Sequence, residues 1–383
     1  MLRILTIFGT RPEAIKLAPV IRELERHPEH IVSRTCATAQ HREMLDQVLA
    51  LFGLIPDVDL DLMHPDQTPS QVASAALERL DALLEAERPD WVLVQGDTTT
   101  VMAAGLAAYH RRIRIGHIEA GLRTGDKYRP FPEEMNRRIV DHLSDLLFAP
   151  TEQARRNLLA EGIPDERIRV TGNTVIDALL WVASLPSDTD PPDTRTGERA
   201  RANVRTIFVT AHRRESFGEP LRRICAALRT LARRGDVHIL YSVHRNPNVW
   251  NTVHAELEGV AGITLLPPVD YRQLVRLLRE CTLVLTDSGG IQEEAPSLGK
   301  PVLVLREVTE RPEGVEAGVA RLVGTDPERI VAEANRLLDD PEAYAAMARA
   351  VNPYGDGHAA ERIAAALLGG GEKREEWSPG NKN

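Results

Sequence analysis

Short apolar runs alternate with amphipathic segments along most of this chain. Residues 91–94 and 283–285 are apolar throughout, as expected of strands in a parallel sheet that helices cover on both faces. The segments between such runs carry apolar residues at helical spacing, as in residues 12–26, where Pro12 stands at the first helical position. This alternation predicts a doubly wound α/β fold.

The alternation occurs in two halves of the chain. Strands are predicted at residues 3–8, 32–37, 91–94, 113–118, 146–149, 206–209, 238–243, 263–266, 283–285, 302–305 and 321–323, and helices at residues 12–26, 43–52, 98–110, 133–143, 219–233 and 271–280. Residues 186–201 are polar, rich in proline and without an apolar period, which is typical of a linker. A chain of 383 residues also exceeds what one core usually organises.

We therefore predict an N-terminal Rossmann-like domain over residues 1–180 and a C-terminal Rossmann-like domain over residues 201–352. Residues 353–368 are expected to form a C-terminal helix that crosses back to the first domain, because apolar residues recur there at helical spacing. Residues 369–383 contain almost nothing to bury, so they are predicted to be a disordered tail.

Composition excludes several classes of protein. The formal net charge of −9 argues against a nucleic-acid partner, because no basic surplus is present to neutralise a phosphate backbone. Three scattered cysteines suit a reducing compartment and no disulfide framework. No membrane-spanning run and no signal peptide are evident, so a cytoplasmic enzyme or binding protein is expected. A small anionic ligand stays possible, because it needs only a few local basic residues.

A candidate phosphate site follows the predicted strand at residues 283–285. Ser288, Gly289 and Gly290 stand where this strand turns into a helix, so backbone N–H groups and the positive end of the helix dipole would face an anion. The alternative is structural: Ser288 caps the helix, and Glu293 and Glu294, expected within its first turn, complement the dipole.

Other polar residues directly follow predicted strands of the first half, where open α/β sheets bind ligands. Arg11 and Lys16 follow the first strand and would place positive charge at a helix N-terminus facing an anion. As the alternative, Lys16 would form an ordinary surface pair with Glu13, one helical turn away.

Three carboxylates are predicted to converge on the same edge of the first sheet. Asp97 follows the strand at residues 91–94, with capping of the next helix as the alternative. Glu119 follows the strand at residues 113–118, where no helix is about to begin, so capping does not explain it. Glu133 opens the helix at residues 133–143, where the helix dipole favours an acid.

Two histidines follow predicted strands in the second half. His212 precedes Arg213 and Arg214, a combination that suits a diphosphate, and His244 follows the next strand. A lone histidine is more often a satisfied structural residue, so the structural alternative stays open. Arg311 belongs to a further polar segment that follows the strand at residues 302–305.

The combined motifs are those of a known family. The segments FGTRPEAIKLAP, QGDTTT, HIEAGLRTGD, PFPEEMNRR, TAHRRESFGEP, TDSGGIQEEAPSLGKPVLVLREVTERPE and GTDPERI occur in the family's order, and residues 1–368 resemble the non-hydrolysing UDP-N-acetylglucosamine 2-epimerases. The resemblance implies two Rossmann-like domains facing a cleft in a glycosyltransferase-B-like fold, a homodimer, a UDP-sugar substrate, and neither a cofactor nor a metal.

The resemblance also implies a reaction. The family interconverts UDP-N-acetylglucosamine and UDP-N-acetylmannosamine, precursors of cell-surface polysaccharide, by eliminating UDP to 2-acetamidoglucal and adding it back. A base can hardly remove the C2 proton unless UDP leaves in the same event, and reprotonation from the other face needs a second acid–base group. Three alternatives remain: a hydrolysing epimerase, a glycosyltransferase of the same fold, and a sugar-nucleotide sensor without turnover.

Residue roles follow from the motifs. The resemblance implies catalytic roles for Asp97, Glu119, Glu133 and His212, and which carboxylate takes the C2 proton stays open. It implies substrate-binding roles for Arg11, Lys16, Arg213, Ser288, Gly289, Gly290, Glu294 and Arg311, with Glu294 accepting from the ribose hydroxyls.

Many relatives bind a second, regulatory UDP-N-acetylglucosamine molecule. The residues that suit this role here are Gln40, His41, Glu134 and His244. Glu43 and Asp66 stand where an amide and a cation are expected, and two added negative charges oppose diphosphate binding.

Overall fold

The structure is a computed structural model. It describes residues 1–38, 42–62, 67–186, 204–369 and 377–379, with only the backbone described at residues 42–44. The chain divides into two units, one formed by Met1–Ala178 with Tyr354–Asn383 and the other by Leu179–Pro353. Most of the predicted linker at residues 186–201 lies outside the described residues.

A parallel sheet forms the centre of the first unit. Within the described residues its strands are β1 (Leu2–Phe8), β2 (Ile31–Ala37), β3 (Val58–Asp59), β4 (Trp91–Gln95), β5 (Arg114–Ile118), β6 (Leu146–Ala149) and β7 (Ile168–Val170). Their order across the sheet is β3-β2-β1-β4-β5-β6-β7, so the direction of winding reverses between β1 and β4. Every residue of β4 is buried, as expected when helices cover both faces.

Helices connect these strands. They are α1 (Arg11–Glu25), α2 (Arg42–Phe52), α3 (Pro69–Glu87), α4 (Thr99–His110), α5 (Glu133–Leu143), α6 (Glu152–Ala160) and α7 (Thr174–Ser184), the last of which crosses the limit between the units. Thr10 begins α1 with a capping box, in which its hydroxyl accepts from the Glu13 N–H while the Glu13 carboxylate accepts from the Thr10 N–H. The predicted helix at residues 133–143 coincides with α5 and is confirmed.

The second unit repeats this architecture. Its strands are β8 (Arg205–Thr210), β9 (Val237–Ser242), β10 (Ile263–Leu266), β11 (Leu283–Thr286), β12 (Val302–Val304) and β13 (Ala320–Leu322), all paired in parallel in the order β10-β9-β8-β11-β12-β13. Its helices are α8 (Glu219–Ala232), α9 (Pro247–Leu257), α10 (Tyr271–Glu280), α11 (Gly289–Ser297), α12 (Pro312–Glu316), α13 (Pro327–Asp339) and α14 (Pro341–Ala348). The predicted fold class, two doubly wound α/β domains, is therefore confirmed.

The C-terminal segment belongs to the first unit. Helix α15 (Ala359–Leu367) packs against α1, and the Asp177 carboxylate accepts from the Ala360 N–H at 2.8 Å in its first turn. The expectation that residues 369–383 have almost nothing to bury is wrong at Trp377. This side chain is buried and its backbone N–H donates to the Val170 carbonyl.

The three cysteines of the chain are all described and are not paired with one another. Cys36, Cys225 and Cys281 are buried and free, and burial raises the pKa of each thiol to about 12. Among the residues that the structure describes, no helix combines the length and the apolar character needed to cross a membrane.

Candidate active site

The candidate residues lie where each sheet reverses its winding. Arg11 and Lys16 follow β1 and Asp97 follows β4, the two neighbouring strands at the reversal in the first sheet. His212 follows β8 and Ser288 follows β11, the equivalent pair in the second sheet. Because open α/β sheets bind ligands at this position, each unit carries a candidate ligand-binding edge.

The Glu119 carboxylate accepts hydrogen bonds from three side chains of the first unit. Lys16 Nζ donates to both of its oxygens, at 2.6 and 2.7 Å, and amide groups of Gln95 and Asn173 donate as well. The Glu119 backbone has a φ of 66°, in the left-handed region that non-glycine residues rarely adopt. These donors favour an ionised carboxylate that is held in one orientation.

Asp97 lies in different surroundings. Arg137 Nη2 donates to its carboxylate at 2.5 Å, and the Asn136 side chain donates to its backbone carbonyl at 3.0 Å, so α5 fixes this residue from two sides. Its side chain is still 28% exposed. Burial raises the pKa of Asp97, with Arg137 opposing the shift and Glu119 adding to it. Two carboxylates in contrasting surroundings suit opposite acid–base roles.

Glu133 opens α5 one turn before Arg137. Its Oε2 is buried and has no hydrogen-bond partner within the described part of the chain. A buried carboxylate oxygen without a donor is costly and is often found where a ligand supplies the missing contact. Arg11 is partly exposed at the first position of α1.

Two structural alternatives for this unit are wrong. Glu13 does not pair with Lys16 at the surface: it is 2% exposed and accepts from the Gly9 N–H, the Thr10 N–H and the Thr98 hydroxyl. Burial raises the pKa of Glu13 although these donors oppose the shift. Asp97 does not cap α4, because the Thr98 hydroxyl accepts from the Val101 N–H in that position.

A buried network supports the loops that hold Asp97 and Glu119. His117 Nε2 lies 2.7 Å from the Gly96 carbonyl oxygen, which can only accept, so Nε2 carries a proton. His117 Nδ1 lies 2.7 Å from Asp141, which also pairs with Arg123. Burial alone would raise the pKa of Asp141, but the charges of His117 and Arg123 outweigh it and the pKa is lowered.

The structure describes only some of the residues predicted for a regulatory site. Gln40, His41 and Asp66 lie outside the described residues, as does the side chain of Glu43. Glu134 is fully buried, and its carboxylate accepts from Arg138 Nε at 3.1 Å and from the Thr124 N–H at 3.2 Å. Its charge is therefore used inside the unit, in fixing the loop that precedes α5.

The second unit has a candidate anion-binding cradle at the start of α11. A Cβ added at Gly289 would lie 3.8 Å from Arg213 Nη2 and 3.9 Å from the Arg311 guanidinium, so this helix start lies close to two cations. Ser288 occupies the N-cap position, but its side chain makes no capping hydrogen bond, so the capping alternative is wrong. Backbone N–H groups, a helix dipole and two guanidinium groups together favour a phosphate.

The two acids after the cradle do not complement the helix dipole. Glu293 and Glu294 lie beyond the first turn of α11, contrary to the expectation from sequence. Glu293 is buried and pairs with Arg311, which fixes that guanidinium beside the cradle. Glu294 is buried and accepts from the Tyr271 hydroxyl at 2.8 Å.

His212 and His244 lie together after β8 and β9. Their rings stack at a centroid distance of 5.3 Å and an interplanar angle of 16°. Asp287 accepts from the backbone N–H groups of His212 and Arg213, at 2.7 and 2.8 Å. The structure thus brings His212, Arg213, Gly289 and Arg311 into one region of the second unit.

Several residues that support the site were not predicted, and they are Gln95, His117, Arg137, Asn173, Tyr271 and Asp287. Gln95, His117, Arg137 and Asp287 stand inside the family motifs quoted above but had no predicted role. Closer inspection of the residues at strand ends could have found Gln95, His117 and Asp287. Asn173 contacts Glu119 from 54 positions away, and no local pattern signals that contact. Within the described residues, no group of three or more His, Cys, Asp or Glu side chains could hold a metal ion.

The chain is similar to known proteins at the level of family and at the level of fold. A family model described as UDP-N-acetylglucosamine 2-epimerase matches residues 22–368. The glycosyltransferase of kitacinnamycin, 16% identical, superposes with a TM-score of 0.61 over 94% of this chain and 98% of its own, which shows a shared fold alone. The chain is therefore a two-domain α/β protein of glycosyltransferase-B-like fold.

Closer relatives define the family. The UDP-N-acetylglucosamine 2-epimerase of Salmonella typhimurium is 54% identical over 370 residues, covering 96% of this chain and 98% of the relative. The crystal structure of UDP-GlcNAc 2-epimerase from Neisseria meningitidis bound to UDP-GlcNAc is 46% identical, with a TM-score of 0.86 over 96% of this chain and all of that one. The chain belongs to the UDP-N-acetylglucosamine 2-epimerase family, as the sequence motifs predicted.

Proposed function

We propose that this chain is a non-hydrolysing UDP-N-acetylglucosamine 2-epimerase. It interconverts UDP-N-acetylglucosamine and UDP-N-acetylmannosamine by eliminating UDP and the C2 proton to give 2-acetamidoglucal, then adding UDP back at C1 while a proton returns to either face of C2. Its products serve as precursors of cell-surface polysaccharide. Family membership and the Neisseria relative's complex with UDP-GlcNAc support this substrate.

The contrast between Asp97 and Glu119 carries the proposal. Glu119 accepts from an ammonium and two amides, which hold it as a carboxylate in one orientation, whereas burial raises the pKa of Asp97 and so makes it the better proton donor of the two. Epimerisation at one carbon needs removal of a proton from one face and return from the other, so it needs two such groups. Glu133, with an unpartnered buried oxygen, is the third candidate.

The second unit supports retention of the leaving group. UDP departs as an anion and must stay bound for the return step. The helix start at Gly289 lies beside two guanidinium groups, which favours a diphosphate at that position. Glu294, held by Tyr271, is proposed to accept from the ribose hydroxyls.

The test is incubation of the purified protein with UDP-N-acetylglucosamine alone in D2O, followed by NMR. The expected result is a mixture of both UDP-sugars with deuterium at C2 and little free UDP. A hydrolysing enzyme would release UDP and free N-acetylmannosamine, and a glycosyltransferase would leave C2 unexchanged in the absence of an acceptor. A sensor would bind the nucleotide sugar without any turnover. Absence of C2 exchange refutes the proposal.

Carboxylate variants test the residue assignment. Asp97→Asn, Glu119→Gln and Glu133→Gln are each expected to lower turnover by about 10²- to 10⁴-fold, the usual range for a lost acid–base group. Glu152→Gln, at the start of α6, is the matched control and should keep full activity. Circular dichroism checks that each variant folds. Full activity in all three site variants would reject the assignment.

The assembly and location are proposed from the same resemblance. A homodimer is expected, and light scattering after gel filtration measures it directly. We propose a cytoplasmic location, because three free thiols suit a reducing compartment. The regulatory UDP-N-acetylglucosamine site at Gln40, His41, Glu134 and His244 stays a prediction. Saturation curves for UDP-N-acetylmannosamine, with and without added UDP-N-acetylglucosamine, would test it.

A further inference from the structure

Asp287 lies directly under the loop that carries His212. Its side chain is fully buried, and Oδ2 accepts from the His212 N–H at 2.7 Å and from the Arg213 N–H at 2.8 Å. One oxygen of this carboxylate therefore fixes the main chain that follows β8. Charge-assisted bonds of this kind hold a loop in one conformation.

The other oxygen is not used in the same way. Oδ1 is buried and has no hydrogen-bond partner within the described part of the chain. It lies 3.6 Å from His212 Nδ1, which is close enough for an ion pair but longer than a hydrogen bond. Since a buried carboxylate oxygen without a donor is costly, a contact with Nδ1–H would relieve that cost.

His244 permits a positive charge on its stacked neighbour. The Asn246 N–H donates to His244 Nδ1 at 3.0 Å, so this nitrogen carries a lone pair and the proton of the neutral ring lies on Nε2. The ring that stacks on His212 is therefore uncharged in this arrangement. A neutral partner opposes protonation of His212 much less than a second imidazolium would.

The charged and titratable groups acting on His212 come from three strand ends. They are Asp287 after β11, His244 after β9 and Arg213 beside the histidine itself. Burial lowers the pKa of His212, Arg213 and any positive charge on the His244 ring act in the same direction, and Asp287 opposes them. Asp287 is thus the group in this set that favours the imidazolium.

We propose that Asp287 is a positioning residue for His212. It accepts from Nδ1–H and so presents Nε2–H of the imidazolium to the diphosphate of a bound UDP-sugar. This inference rests on the proposed function. Closing the contact needs a movement of only about 0.5 Å. A carboxylate that binds one ring nitrogen fixes which nitrogen faces the ligand and stabilises the charged ring.

The first test uses the free protein and needs no turnover. Asp287→Asn keeps an oxygen that accepts from the two backbone N–H groups, but its NH2 group faces Nδ1 and disfavours a proton there. NMR titration of the histidine rings, with the His212 signal among the 12 histidines identified by its loss in His212→Asn, gives the pKa of His212. A fall of about one unit is expected. Glu258→Gln, an exposed carboxylate of the same unit, is the control. An unchanged pKa of His212 in Asp287→Asn overturns the inference.

A second test uses the wild-type protein and therefore holds even if Asp287→Asn fails to fold. Calorimetric titration with UDP-N-acetylglucosamine in two buffers of different ionisation enthalpy measures proton uptake on binding. The ligand diphosphate is esterified at both ends, so it is fully ionised and takes up no proton near neutral pH. Above the free pKa of His212, uptake of part of a proton per site is expected in the wild type and none in His212→Asn. Equal uptake in both proteins, or none in the wild type, overturns the inference.

Activity separates this inference from the proposed function. In Asp287→Asn, the limb of the kcat/KM profile on which activity falls with rising pH should move to lower pH, because His212 loses its proton earlier. A purely structural defect would lower the whole profile without moving the limb. If C2 exchange occurs but the pH of the limb does not change, the role of Asp287 is refuted and the proposed epimerase function is retained. If no exchange occurs but the pKa of His212 falls in Asp287→Asn, the proposed function is refuted and the interaction between Asp287 and His212 is retained.

Discussion

Asp177 couples the stability of the first unit to pH. This residue of α7 accepts from the Ala360 N–H at 2.8 Å and so caps α15, while its Oδ2 is buried without a hydrogen-bond partner among the described residues. Burial raises the pKa of Asp177 to about 6. Helix α15 packs against α1, which carries Lys16, so this contact supports the candidate site.

The size of the effect follows from the pKa values. The ordinary value is 3.8 and the folded value about 6, so the folded protein holds this proton more tightly than the unfolded chain does. At about 1.4 kcal/mol per unit, the stabilisation amounts to about 3 kcal/mol. It is fully present below pH 3.8 and is lost as the pH rises through about 6. Between pH 5 and pH 8 the loss is about 1.4 kcal/mol.

Asp177→Asn isolates this contribution, because the amide oxygen can still accept from the Ala360 N–H but the side chain no longer titrates. Since two units need not unfold together, hydrogen exchange of the α15 amides is the appropriate measurement, corrected for intrinsic rates. The opening free energy of wild type relative to Asp177→Asn should fall by about 1.4 kcal/mol from pH 5 to pH 8. Asp165→Asn, a more exposed carboxylate of the same unit, is the control and should follow the wild type.

The refuting result is a difference between wild type and Asp177→Asn that does not change with pH. A constant difference would mean that the substitution alters packing or capping only, and that burial does not raise the pKa of Asp177 in the folded protein. A difference that grows in the opposite direction would mean that the capping N–H groups dominate over burial. Either outcome would remove the inferred link between pH and the docking of α15.

Two further predictions concern glycine geometry and ribose binding. Gly121→Ala should destabilise the protein by about 3 kcal/mol in thermal unfolding, because φ is 85° and a Cβ would lie 2.4 Å from the Ala154 carbonyl oxygen. Gly162→Ala has nearly the same φ but open space and should cost about 1 kcal/mol, so equal losses would contradict the steric argument. Tyr271→Phe removes a donor from Glu294 and should weaken UDP binding about tenfold by calorimetry. Unchanged affinity would count against the role proposed for Glu294.

Local sequence patterns predicted most of the helices and strands, but not which strands lie next to each other in the sheets. The apolar run at residues 283–285 predicted β11, and the polar residues after it predicted the cradle. Nothing in the sequence pattern places β4 beside β1, although that pairing brings Asp97 and Lys16 to neighbouring strand ends. Strand order depends on crossover connections and on the helices that cover each face, which short-range periodicity does not encode.

The structural alternative for Lys16 failed for a physical reason. Sequence spacing allowed a surface pair between Glu13 and Lys16, three positions apart, whereas the structure pairs Lys16 with Glu119, 103 positions away. The close pair would lie at a helix surface, where it is worth a few tenths of a kcal/mol. The distant pair is largely shielded from water, where a charge without a partner costs far more. Tertiary burial, which spacing does not report, therefore decided the partner.

Buried carboxylates hold the site loops in both units. Glu13 accepts from the consecutive N–H groups of Gly9 and Thr10 after β1, and Asp287 accepts from those of His212 and Arg213 after β8. Strands β1 and β8 occupy equivalent positions in the two sheets. In each case an internal anion engages the main-chain donors of the loop, so these donors are not available to a ligand. Under the proposed function, positive side chains and the helix start of α11 would then supply the contacts to the diphosphate, on loops that are ordered before it binds.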